Sequence, residues 1–276
     1  MRRLDTAGCD DGEVRCRVLI AAAYQYSGIG DLPRALSALD QAAGWDPAQH
    51  AAVDGTRAMC LARAGENEAA LKSFDSAIVG LRDGDRRLLA TALLNRGVLH
   101  MNIGHLPIAQ ADTVAARDVA ESAGDAWGVF MASHNLGYIQ FLSGDLPGAL
   151  ASMESAQQAV EEPPIGVPSM DRARVLLAAG LVSEAAELSE LAVQDFDRNR
   201  ALSELPDALM VAAEADLLQG NWRAAVSRTR RARSLNRRRG HANAALLAEL
   251  LDSKQWPQVD STRSSLSGRE PTRGTH

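Results

Sequence analysis

The chain has 276 residues and a formal net charge of −6, with 46% apolar residues but only 4% aromatic ones, so its core must be built from Ala, Leu and Val. Cys9, Cys16 and Cys60 are odd in number and share no ligand spacing, which supports neither a disulfide framework nor a zinc site. The N-terminus MRRLDTAGCDDGEV has no apolar run behind its charges, and no stretch is long enough to cross a bilayer, so a soluble cytoplasmic protein is expected.

Six glycines head one pattern, with alanine five and twelve residues later: Gly30, Gly65, Gly104, Gly144, Gly180 and Gly220. Their spacings of 35, 39, 40, 36 and 40 residues mark an array of two-helix repeats and not one closed core. Residues 1–14 read as a flexible N-terminus. Six repeats follow at 16–49, 51–84, 90–123, 130–163, 166–199 and 206–239.

Repeats one, three and four carry Gly-Asp-Leu-Pro or Gly-His-Leu-Pro at Gly30, Gly104 and Gly144. Glycine there supplies the positive φ that ends a helix, and the following aspartate and proline start the next one. Repeat two is a weaker match, because Asp54-Gly55-Thr56 falls inside its first helix. In repeat five Pro163, Pro164 and Pro168 precede a short first helix expected over Ser169–Ala179. Beyond repeat six, Ala242–Lys254 reads as a capping helix that closes the domain spanning 15–254, and 255–276 reads as a polar, disordered tail.

The small residues Gly97 and Gly137 in first helices, with the paired alanines of second helices, resemble the tetratricopeptide repeat. The resemblance implies an all-α, right-handed α-α superhelix of about six helical hairpins plus the capping helix. The segments Leu94–His100, His134–Tyr138 and Asp171–Leu181, with the Arg-rich turn after Ala232, resemble the repeat half of actinobacterial CHAT-domain proteins. In that family a caspase-like domain with a His/Cys dyad follows the repeats. Nothing of that domain is present in this sequence, so no protease activity carries over.

In such a superhelix the first helices line an inner groove. The positions facing it are Tyr24, Asn95, Asn102, His134, Asn135, Tyr138, Phe141 and Arg174. Asparagine amides pair with both the N–H and C=O of an extended peptide, and the aromatics suit an apolar side chain. The Lys/Arg clamp that chaperone-binding members use for a C-terminal carboxylate is missing, since Ile20, Gly55 and Leu94 occupy its positions. Neither His134 nor His100 has a carboxylate or cysteine at ligand spacing, and no phosphate loop or nucleophile elbow occurs. No enzyme, cofactor or metal site is therefore expected.

Charge is uneven: residues 221–276 carry 12 Lys/Arg against 4 Asp/Glu, the preceding 220 carry 17 against 31. Arg228, Arg230, Arg231, Arg233, Arg237, Arg238 and Arg239 form a basic run that could hold phosphates. Aromatics for base stacking are missing apart from Trp222, which disfavours nucleic acid. The sequence thus points to a non-catalytic scaffold or sensor that binds a protein or peptide, with a caspase-like effector on another chain as its implied partner. The alternative is a module of a signalling or transcriptional regulator that touches nucleic acid through its Arg-rich end.

Overall fold

A computed structural model describes residues 12–46 and 49–238. Among the described residues are twelve α-helices and no strand, arranged as six antiparallel hairpins. Each hairpin pairs a first with a second helix: α1 (Gly12–Gly28) with α2 (Leu32–Ala43), α3 (His50–Arg63) with α4 (Asn67–Leu81), and α5 (Arg86–Asn102) with α6 (Leu106–Ser122). Then come α7 (Ala126–Leu142) with α8 (Leu146–Gln158), α9 (Gly166–Ala178) with α10 (Val182–Arg198), and α11 (Leu205–Leu218) with α12 (Trp222–Arg238). The expected capping helix Ala242–Lys254, the tail 255–276 and Arg239 lie outside the described residues.

Two boundaries differ from the sequence reading. Residues 12–14, expected in a flexible N-terminus, form the first turn of α1, where Glu13 favours the helix dipole and pairs with Arg17 at 2.7 Å. Helix α9 starts at Gly166, three residues before the expected Ser169, because Pro168 falls within the first turn, where no intrahelical amide is needed.

All six hairpins turn in the same way. The turn glycines have φ between +76° and +87°, a left-handed conformation that a Cβ disfavours. The amide after each glycine donates back to the carbonyl four residues before it, as from Asp31 to Tyr26 and from Asp145 to Gln140, both at 2.9 Å. Asp31 and Asp145 then cap the second helices through Arg34 N and Gly148 N. This fixed turn lays the second helix across the first, and the twelve patterned alanines end up no more than 2% exposed. Gly97 and Gly137 lie under that crossing. A Cβ on Gly137 would stand 2.9 Å from the Ala149 carbonyl oxygen and 2.8 Å from Met153 Cγ.

The buried side chains form successive clusters along the stack, each shared by neighbouring hairpins. First helices touch first helices from α1 through α11, whereas second helices meet one another marginally at most. The first helices therefore line the inner side. Helix α8 meets α9 more sparsely than any other second helix meets its successor.

A ladder of ion pairs joins neighbouring repeats in constant register. An arginine eight residues before one turn glycine reaches an acid ten residues after the previous one: Arg57 to Asp40 at 2.8 Å, Arg96 to Asp75 at 2.6 Å, and Arg172 to Glu154 at 2.5 Å. Between repeats three and four these positions hold Leu136 and Val114. Between five and six, Ala212 takes the arginine's place and Glu190 pairs with Arg228 at 2.8 Å instead. Arg96 also grips the buried Asp112 through two nitrogens, at 2.6 and 2.8 Å. Next to this pair, His100 Nδ1 is buried with no hydrogen-bond partner among the described residues. Burial holds the His100 pKa below its ordinary value, with the Asp112 carboxylate pulling the other way.

Gly144→Ala meets open space but a strained φ and should cost about 1 kcal/mol. Gly137→Ala drives a methyl into backbone and should cost about 2–3 kcal/mol despite alanine's better helix propensity; urea denaturation of both variants measures the order. For His100, the folded state binds the proton less well than the unfolded state. Its contribution is therefore unpenalised above the ordinary pKa of 6.5 and worsens as pH falls from there through the lower folded value. His100→Gln should lose less Tm than wild type between about pH 7 and pH 5, as followed by circular dichroism.

Candidate functional site

Positions nine, six and two residues before each turn glycine lie close to one helical face, so the same strip of every first helix looks inward. The side chains on that strip contact each other from one first helix to the next. Arg63 on α3 lies over the Tyr24 ring of α1, 4.3 Å from its centroid, and donates to the Tyr24 hydroxyl at 2.7 Å. Asn95 on α5 turns its amide nitrogen to Met59 Sδ on α3 at 3.4 Å. On α9, Arg174 donates to Asp171 at 3.0 Å and reaches the Tyr138 hydroxyl of α7 at 3.5 Å. His134 Nε2 of α7 lies 3.3 Å from Asp171 Oδ2, so one carboxylate joins His134 and Arg174 across the seam between repeats four and five.

The expected groove residues separate into two sets. His134, Tyr138, Phe141 and Arg174 come together around that seam, with Tyr138 and Phe141 ring centroids 5.6 Å apart. Both rings are half-buried against Ala149, Met153 and Val175. Asn135, next to His134 in the chain, is half-buried and makes no side-chain hydrogen bond among the described residues. Tyr24, Asn95 and Asn102 belong instead to repeats one to three, where Asn95 and Asn102 share the wall of a cavity of about 350 Å³ with Arg63.

His134 differs from its expected role. It is 4% exposed, stacks beside Phe130 and faces Asp171, so it props the groove from below and does not present itself to a partner. The absence of a carboxylate at ligand spacing holds only within a helix. Asp171 is 37 residues away in the chain, one repeat on, and occupies the register of Asn95 and Asn135. Arg63 and Met59 lie outside the expected set, although their places two and six residues before Gly65 match those of Asn102 and Tyr138.

The basic run is partly consumed inside the protein. Arg228 pairs with Asp216 at 2.7 Å and with Glu190, and Arg231 pairs with Asp197 at 2.7 Å. Arg230 and Arg237 are exposed on α12 and Arg233 is half-buried. Arg238 ends that helix. Cys16 and Cys60 are buried thiols whose pKa values burial raises, as expected of inert core cysteines. Among the described residues no three His, Cys, Asp or Glu side chains cluster to hold a metal, and no helix is long and apolar enough to cross a membrane.

No protein-family model and no curated protein matches the chain. Solved structures do. PilW, a type IV pilus biogenesis factor, superposes with a TM-score of 0.61 at 19% identity, over 85% of this chain and 98% of that one. A Rap conjugation gene regulator of the plasmid pLS20, solved with a peptide, gives 0.65 at 14% identity, over 91% and 77%. A STAND signal-transduction ATPase with a tetratricopeptide repeat sensor, from Pyrococcus horikoshii, gives 0.63 at 14% identity, over 87% of this chain and 42% of that one. With its uniform glycine turns, its alanine-lined crossings and its first helices facing inward, this chain has the tetratricopeptide-repeat fold.

Proposed function

We propose that the protein is a non-catalytic scaffold or sensor module of the cytoplasm that binds a peptide segment or partner helix in its inner groove, around repeats three to five. The observation that carries this reading is Asn135. It is a half-buried amide with no hydrogen bond of its own among the described residues, next to the Tyr138–Phe141 pair and over a seam fixed by His134, Asp171 and Arg174. An amide so placed offers a donor and an acceptor to an extended backbone, while the aromatic pair offers an apolar contact. The Rap regulator solved with a peptide supports this use of the fold. The resemblance of the repeat order to CHAT-domain proteins suggests the effector: a caspase-like protein on a separate chain, recruited or restrained by the array.

The test is capture of partners from native lysate by the full chain and by an Asn95→Ala/Asn135→Ala/Tyr138→Ala variant of unchanged helicity. A protein retained by wild type and reduced about tenfold or more by the variant is the expected outcome. Equal capture by both refutes a groove site, and recovery of RNA or DNA in place of protein points to the Arg-rich end.

A further inference from the structure

The cavity between repeats two and three has a composition of its own. Met59, Phe74, Val98, Leu99 and Ile103 supply apolar walls, with Phe74 and Leu99 buried at the floor. Its volume of about 350 Å³ is at the low end for a ligand site, enough for one or two side chains and too small for most cofactors. Around it stand Arg63, Asn67, Asn95 and Asn102. Arg63 is the charged group among the lining residues and has no carboxylate partner among the described residues, in contrast to Arg57, Arg96, Arg172, Arg174 and Arg228.

Tyr24 holds the Arg63 guanidinium in place by stacking and by a single hydrogen bond from Nη2. Most of its five N–H donors therefore remain for another acceptor, and the planar fork suits a carboxylate. A guanidinium already fixed on a ring loses little side-chain entropy when it binds. Asn67 and Asn102 make no side-chain hydrogen bond among the described residues, and Asn95 uses one amide proton on a thioether, a weak acceptor. Three amides thus surround the apolar walls, where a backbone would pass.

We infer that this end of the groove anchors an extended peptide through an apolar side chain in the cavity, with an acidic side chain beside it on Arg63. A small free anion leaves the apolar walls unused, and a neutral apolar segment leaves Arg63 unpaired. An acidic peptide with an apolar anchor meets both. The inference rests on the groove-binding reading and extends it toward repeats one to three. The inner strip ends in acid at repeat six, where Asp207 and Glu214 are exposed on α11. The same peptide therefore runs with its acidic end toward repeat two.

A random 12-residue peptide library displayed on phage, panned against the full chain, tests this directly. Enriched peptides should pair Leu, Ile, Met or Phe with a neighbouring Asp or Glu. Synthetic copies, followed by fluorescence anisotropy, should bind Arg63→Glu about tenfold more weakly, and Arg63→Lys, which keeps the charge but loses the stacked planar fork, should fall between that variant and wild type. Ala62→Phe, which fills the cavity while leaving the charge, should also weaken binding about tenfold. Arg63 is exposed, so its variants should keep their helicity, and circular dichroism confirms that for all three. Peptides that lack the acid, or that bind Arg63→Glu unchanged, overturn the inference. If those peptides still lose affinity on the Asn95→Ala/Asn135→Ala/Tyr138→Ala variant, the groove reading stands without it. Peptides indifferent to every groove variant overturn both.

Discussion

The structure depends on how closely two helices can approach. A first and a second helix cross with Ala149, Ala156 and their counterparts against small residues such as Gly97 and Gly137, and the glycine turn sets their direction locally. The turn is local, and its positive φ and its backbone hydrogen bond recur in each hairpin. Stacking then follows, because each hairpin leaves an apolar face that only the next hairpin covers. A core made of small residues gives up the large burial that aromatic side chains provide. It recovers cohesion by repeating a close, well-packed contact six times.

Ion pairs add register to that cohesion. The Arg57–Asp40, Arg96–Asp75 and Arg172–Glu154 pairs are partly exposed, so each contributes modestly to stability. Their value lies in position. Packing of the alanine faces sets the spacing, and an arginine that meets an acid one repeat away adds a preference for one alignment. Where Leu136 and Val114 stand in the third seam, this ion pair has no counterpart.

The fold was legible in the sequence because its determinants are local: a glycine, two alanines at fixed distances, and a capping aspartate or proline. The groove was legible only in part. Helical periodicity identified the inward strip of each helix and so brought out Asn95, Asn135 and Tyr138. Which strips face one another depends on the stagger between repeats, and single-helix spacing does not contain it. The His134–Asp171 contact spans 37 residues and the Arg63–Tyr24 contact 39, both one repeat length, so each is visible only when repeats are aligned on their glycines. Read within its own helix, Arg63 looks like an ordinary cation near a C-terminus. Laid over Tyr24, it becomes part of a site. The arginines of α12 show the reverse: a conspicuous basic run, of which Arg228 and Arg231 serve as internal partners.

The sparse meeting of α8 with α9 has a mechanical meaning. Across that seam the buried Val175 joins the Ala149–Met153 cluster, and polar links include His134–Asp171, Arg174–Tyr138, Arg172–Gln157 and Arg172–Glu154. Of these links the Arg172–Glu154 pair is the most open to water and so the most weakened by added salt, whereas the buried His134–Asp171 contact is largely shielded. The seam between repeats four and five thus has the least helix-to-helix contact to oppose a change in their relative angle, and the curvature of the groove rests there on a few polar links.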